Sequence, residues 1–171
     1  MTAGLFQQLD KRSAGYQPIP VLQWHLRNTG ICQTAVARPP LLISLKNALT
    51  IDVEDYFMVS AYADRVKFKD WHTYESRIER TTLNVLDMLD EYGVKATFFV
   101  LGWVAEHYPE VVRDIVKRGH EIACHSYNHR LVFDLTPEEF RQDVVKAKKI
   151  IEDVSGRAVK GYRAPSYSIT K

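Results

Sequence analysis

Beyond residue 46 the apolar positions of this chain change period repeatedly, and each change marks an element. Ala48 to Val53 (ALTIDV) reads as a strand that runs into an acidic group, Asp52, Glu54 and Asp55. Residues 56–73 are aromatic and mixed with no clear period, which predicts a long loop with room for a short helix. Long irregular loops inside compact domains usually carry function. From Arg77 to Tyr92, Ile78, Leu83, Val85, Leu86 and Leu89 fall at helical spacing, and Gly93 stops the run. Lys95 to Leu101 (KATFFVL) reads as a buried strand, and Pro109 to Arg118 as a helix with proline at its start and Gly119 at its end. His120 to Cys124 is a third expected strand. Thr136-Pro137-Glu138-Glu139 is a capping box that opens a helix to about Val154, ended by Gly156. Val159 to Tyr162 reads as a fourth strand, delivering Arg163.

Strand and helix therefore alternate, which predicts an α/β fold with parallel strands and covering helices. Asp52, His125 and Arg163 all fall at strand C-terminal ends, where barrels and open α/β sheets build their active sites. Residues 1–46 read differently. They hold Gln, Arg and a Pro39-Pro40 pair with no sustained period, and we read them as a weakly ordered leader preceding a domain over 47–171. The alternative is a short N-terminal subdomain.

Composition narrows the classes. The chain has 171 residues, 46% hydrophobic and 26% charged, enough for one ordinary globular core. A net charge of +2 without a basic run gives no electrostatic footprint for nucleic acid. No apolar stretch approaches the roughly 18 residues of a membrane span, nor is there a signal-peptide pattern, so the reading is cytoplasmic. Cys32 and Cys124 lie far apart and form no disulfide framework.

The chemistry concentrates in His125-Ser126-Tyr127-Asn128-His129. If the segment is helical, the two histidines sit one turn apart and face one cation. A carboxylate from another strand completes three ligands and leaves a position open to water, which suits hydrolysis better than a closed structural site. In the acidic group, one carboxylate would be a metal ligand and another a general base; the competing reading is a helix-cap or turn acid. By the period of two, Asp52 and Glu54 share a strand face and Asp55 points away unless the strand has ended. Ser126 and Asn128 are available to orient the histidine rings. Arg163, with Pro165 holding the preceding residue extended, can pair bidentately with an active-site carboxylate; the competing reading is a structural salt bridge. Pro165 and Tyr167 are expected at the substrate. Trp71, with Trp103, Tyr74 and Phe57, could offer a sugar-stacking surface, against core packing as the alternative. Cys124 should point into the core. His25 and His107 are read as solvated, and His72 as packing in the long loop.

These residues together resemble the polysaccharide deacetylases of the NodB-homology type (carbohydrate esterase family 4), and most closely the branch associated with bacterial exopolysaccharide and exosortase gene clusters. The family motif Thr-Phe-Asp-Asp-Gly corresponds to Thr50-Ile51-Asp52 followed by Val53-Glu54-Asp55. The motif His-Ser/Thr-x-x-His is met by His125 to His129, and Arg-x-Pro by Arg163 to Pro165. YGVKATFFVLG, RGHEIACHSYNH and GYRAPSYSI are also similar to that branch. The resemblance implies a distorted (β/α) barrel, of which the legible strands make up only a part. It implies Asp52 as general base and His125 and His129 as ligands of a divalent metal, zinc first, with cobalt or nickel also possible. Glu54 would be the third ligand by its Asp-x-acid spacing, with Asp55 the second choice. Arg163 would serve catalysis, and Tyr167 would offer a backbone amide to the oxyanion. The implied reaction is hydrolysis of N-acetyl groups on a bacterial polysaccharide.

The family's later Leu-x-x-His motif, which supplies the general acid, does not follow Arg163 to Pro165 in this sequence. We therefore expect residues 47–171 to be the N-terminal portion of such a domain, poorly active alone and prone to aggregate through open strand edges. Two rivals stand beside the deacetylase: a related amidohydrolase on a small amide or ureide, and a truncated module that binds metal or glycan without turnover.

Overall fold

The computed structural model describes residues 47–169. The expected leader, with Cys32 and His25, lies outside the described residues.

Three parallel strands, β1 (Thr50–Val53), β2 (Thr97–Val100) and β3 (Glu121–Cys124), form a sheet in the order β1-β2-β3. The register sets Asp52 beside Phe99 and Phe99 beside Ala123, then Val53 beside Val100 and Val100 beside Cys124. Because side chains alternate along a strand, Val53, Phe98, Val100, Ile122 and Cys124 enter the core. Asp52 and Phe99 stand on the other face.

Among the described residues four α-helices accompany the sheet: α1 (Ile78–Glu91), α2 (Gly102–His107), α3 (Pro109–Lys117) and α4 (Pro137–Ser155). Helix α3 lies between α1 and α4, and both α3 and α4 pack on β3. Leu86 and Leu89 of α1, Val112 and Ile115 of α3, and Ala147 and Ile151 of α4 supply the helical side of the core. The expected α/β arrangement of parallel strands and covering helices is therefore present.

Helix ends follow local chemistry. Thr136 Oγ1 accepts from the Glu139 amide at 3.2 Å, and Glu139 Oε2 accepts from the Thr136 amide at 2.9 Å. Gly156 closes α4 at φ +63°, in the left-handed region that costs other residues a Cβ clash.

Two points differ from the sequence reading, and the 56–73 loop carries short helical turns as expected. The fourth strand shrinks to a single bridge between Tyr162 and Cys124. Its earlier backbone groups are taken by α4 instead: Lys148 Nζ donates to the Val159 carbonyl and the Val159 amide donates to Glu152, each at 2.8 Å. Helix α2, which the pattern did not predict, starts one residue after β2 ends. The 56–73 segment carries two short 3-10 turns, Ser60–Tyr62 and Phe68–Thr73, anchored by buried Phe57, Met58 and Trp71.

Candidate metal centre

The histidine loop leaves the C-terminal end of β3 and is not helical. Ser126 (φ 71°) and His129 (φ 59°) take left-handed conformations, so the rings meet because the loop folds back rather than through a helical turn. Their centroids are 5.3 Å apart. Neighbouring elements hold the loop at several points. The first two amides of α2, Gly102 and Trp103, donate to the carbonyls of Ser126 and Tyr127 at 2.9 Å each. From α4, the Asp143 carboxylate accepts from the Tyr127 amide at 3.1 and 3.2 Å. Gly102 makes this closeness possible: a Cβ there would stand 2.8 Å from Ala147 Cα and 2.9 Å from Tyr127 Cδ2.

Glu54 follows the last residue of β1 and turns toward this pair. Its Oε2 lies 3.0 Å from His129 Nε2 and 3.8 Å from His125 Nε2. One ligand atom from each of the three residues falls within 4.8 Å of the others. Glu54 Oε2 is buried, yet no hydrogen bond of good geometry satisfies it, an expensive state for a carboxylate oxygen. Burial alone would raise the Glu54 pKa, but the close approach of His129 and the charges of His129 and His125 outweigh it and hold the carboxyl below its ordinary 4.5. His125 Nδ1 is 2.8 Å from the Arg163 carbonyl, which can only accept, so Nδ1 carries the hydrogen and Nε2 presents its lone pair. Burial pushes His125 below its usual 6.5, with His129 adding to the shift and Asp52, the Arg163 carbonyl and Glu54 opposing it; the ring is neutral at pH 7. Two imidazoles and one unsatisfied carboxylate oxygen fit a divalent cation.

Asp52 is partly exposed beside this cluster. Arg163 Nη1 donates to Asp52 Oδ1 at 2.5 Å, and Nη2 donates to Thr50 Oγ1 at 2.6 Å. The expected bidentate pair is therefore split between two acceptors. Phe99 lies under the guanidinium, 4.0 Å from ring centroid to Cζ, and fixes its plane.

Other expected site residues are placed differently. Asp55 is buried away from the histidines and accepts from the Arg77 amide (2.6 Å), Ser76 Oγ (3.1 Å) and the Tyr56 amide (2.9 Å). It caps the start of α1, the role weighed against ligation, because β1 ends at Val53 and the chain turns there. Trp71 is buried in T-shaped contact with Trp103, Phe57 and Phe68, and it also lines the cavity beside His129. Pro165 is buried, while the side chain of Tyr167 stands in solvent at 97% exposure. Burial raises the Cys124 thiol to about 11, which suits a core residue and not a ligand. His72 and His107 are exposed, though His107 also stacks on Trp103. Sequence reasoning missed Ser60, whose Oγ lies 3.4 Å from His129 Nδ1, and Asp143. Neither sits in a motif.

A cavity of about 460 Å³ opens beside His129, lined by Phe57, Ser60, Phe68, Trp71 and Arg130 among others. Among the described residues no helix is long and apolar enough to cross a membrane.

Comparison with known proteins adds independent information. The profile of the family described as polysaccharide deacetylase matches residues 67–171, more than half of the chain. A peptidoglycan-N-acetylglucosamine deacetylase of Bacillus cereus is 38% identical over 84 residues, covering 49% of this chain and 30% of that protein. A chitooligosaccharide deacetylase of Bradyrhizobium is 34% identical over 88 residues, covering 52% of this chain and 40% of that protein. The structure of the peptidoglycan deacetylase PdaC from Bacillus subtilis superposes with a TM-score of 0.56 at 30% identity, over 72% of this chain and 50% of that one. The chain thus spans half or less of the length of these relatives. The family match begins after β1, so Asp52 and Glu54 rest on the geometry described above.

Proposed function

This chain belongs to the polysaccharide deacetylase family, and on that premise we propose that it carries the metal-binding and general-base side of an enzyme that hydrolyses N-acetyl groups on a glycan. The observation that carries this reading is the convergence of Glu54, His125 and His129 around a buried, unsatisfied carboxylate oxygen, with Asp52 beside them. Glu54 Oε2 and the two Nε2 atoms would hold a divalent cation, zinc before cobalt or nickel. When bound, such a cation supplies Lewis acidity to an amide carbonyl and to water.

The residues of the chain do the rest. Arg163 engages Asp52 Oδ1 and leaves Oδ2 to take the proton from an attacking water as a general base. Water adds to the amide carbonyl carbon, and as the C–N bond breaks the proton held by Asp52 passes to the departing nitrogen, giving acetate and a free amine on the sugar. The Arg163 carbonyl keeps the His125 tautomer fixed through this exchange. The cavity beside His129 gives the sugar chain a place next to the reacting group. The relatives named above act, by their descriptions, on peptidoglycan N-acetylglucosamine and on chitooligosaccharide, which supports an N-acetylhexosamine glycan as the substrate class. A bacterial exopolysaccharide built from N-acetylhexosamines would fall within that class.

Elemental analysis of the purified chain beside a His129→Ala variant tests the centre. We expect about one zinc per folded chain in the first and its loss in the second. Acetate release from N-acetylglucosamine oligomers tests the reaction. A folded chain that binds no divalent metal overturns the reading.

A further inference from the structure

A metal-ligating imidazole needs its second ring nitrogen held by a partner, since that contact sets both tautomer and ring angle. For His125 the partner is the Arg163 carbonyl at 2.8 Å. For His129 it comes from a segment with no motif: Ser60 Oγ lies 3.4 Å from His129 Nδ1. Ser60 Oγ is in turn 2.8 Å from Ser166 Oγ.

We infer that Ser60 is a positioning residue for the candidate metal centre, holding the His129 ring so that Nε2 faces Glu54 and His125, while Ser166 anchors Ser60. The inference rests on the metal-centre reading above. A hydroxyl suits the task because it accepts and donates at once. His129 Nδ1–H donates to Ser60 Oγ, and the Ser60 O–H goes on to Ser166 Oγ. One hydroxyl thereby joins three segments that meet nowhere in sequence: the 56–73 loop, the histidine loop and the Arg-Ala-Pro segment.

Each end of this tether is itself fixed. Ser60 follows Phe57 and Met58, both buried, and the Met58 amide donates to the Asp55 carbonyl at 2.9 Å. Ser166 sits at φ 48° and ψ 37°, a left-handed conformation uncommon for serine, so its surroundings must impose it. His129 is also left-handed, at φ 59°. The 3.4 Å separation exceeds the usual N–H···O range of about 2.7–3.2 Å, so the contact contributes little to the stability of the fold.

Zinc affinity, measured by chelator competition on the wild type and on Ser60→Ala, Ser60→Thr and Ser166→Ala, tests this. We expect Ser60→Ala to bind zinc about 10-fold more weakly, the lower end of such outer contacts. Ser60→Thr, which keeps the hydroxyl, should stay near the wild type, and Ser166→Ala should fall between. Long-range ring ¹⁵N spectra of the zinc-loaded proteins give a second readout. His129 resonances should shift in Ser60→Ala while those of His125 stay. Wild-type affinity in Ser60→Ala overturns the proposal, as does an equal loss in Ser60→Ala and Ser60→Thr, which would mean packing rather than the hydroxyl. If Ser60→Ala does not fold, Ser60→Thr and Ser166→Ala still decide, since unchanged affinity in Ser166→Ala removes the anchor from the argument. Failure of the wild type to bind zinc is a distinct outcome, and it overturns the metal-centre reading along with this one.

Discussion

Asp52 and Arg163 are 111 residues apart in sequence, and what joins them is a division of labour within one guanidinium. One arm holds Asp52, the other Thr50, and the flat face rests on Phe99. Lysine has one point charge and no plane, so it cannot satisfy both acceptors and stack as well. Arg163→Lys should therefore leave zinc affinity near the wild type while acetate release from N-acetylglucosamine oligomers falls by on the order of 100-fold, the scale expected when a catalytic group is misplaced. Asp52→Asn should cost at least as much, because it removes the base itself. Equal activity in Asp52→Asn would exclude this carboxylate as the base. Cys124 offers a contrasting residue, one turned inward with its thiol pushed up to about 11. It should resist iodoacetamide at pH 8 in the folded protein and react once urea is added, as read by peptide mass mapping.

At the scale of elements, what could be read from sequence was local. The capping box at Thr136 spans four residues and Gly156 ends its own helix, so α4 was visible almost to the residue. Strand and helix alternation likewise gave the parallel arrangement. The histidine loop was a harder case, since its pairing depends on left-handed turns at Ser126 and His129, which no short pattern of polar and apolar residues encodes. The fourth strand failed for a tertiary reason, the capture of Val159 by Lys148 and Glu152. Ser60 had no local mark at all, because its partner is 69 residues away. Helix α2 is only six residues long and opens with a glycine, a poor helix former, yet that glycine is where the elements lock. A methyl group at Gly102 would press on the α4 backbone at Ala147 and on Tyr127 of the histidine loop. Gly102→Ala should destabilise the protein by about 1–3 kcal/mol in urea unfolding and weaken zinc binding, coupling a packing defect to the site. Thr136→Ala removes the cap at the far end of the same helix and should cost about 1 kcal/mol, with zinc affinity unchanged. If both variants lost zinc equally, the coupling through Gly102 would be wrong.

Across the whole molecule the two ends of the sheet do different work. The C-terminal ends carry Asp52, Glu54, His125 and Arg163, while the entry to β3 carries His120, a buried ring with no part in the chemistry. Its Nδ1 accepts from the Ala96 amide at 3.2 Å, so Nε2 holds the hydrogen, and that atom is buried without a partner among the described residues. Phe98 meets the ring edge-on at 5.1 Å. Burial lowers the pKa of His120 below 6.5, Lys95 and Arg118 lower it further, and Asp90 opposes them. The sign of the consequence follows from which state holds more protons. Below about pH 6.5 the unfolded chain protonates this histidine while the folded chain does not, so stability falls as pH drops through that window and is fully retained above it. His120→Asn keeps an acceptor for Ala96 but cannot titrate. In urea unfolding with chelator present, the variant should lose less stability than the wild type between pH 7.5 and 5.5, although its stability at pH 7.5 is lower. Its zinc affinity at pH 7.5 should match the wild type, because the site lies at the opposite end of β3. Parallel pH dependence in the two proteins would remove His120 as a source of acid sensitivity. It would leave His125, whose pKa is lowered chiefly by burial, as the buried imidazole that carries it.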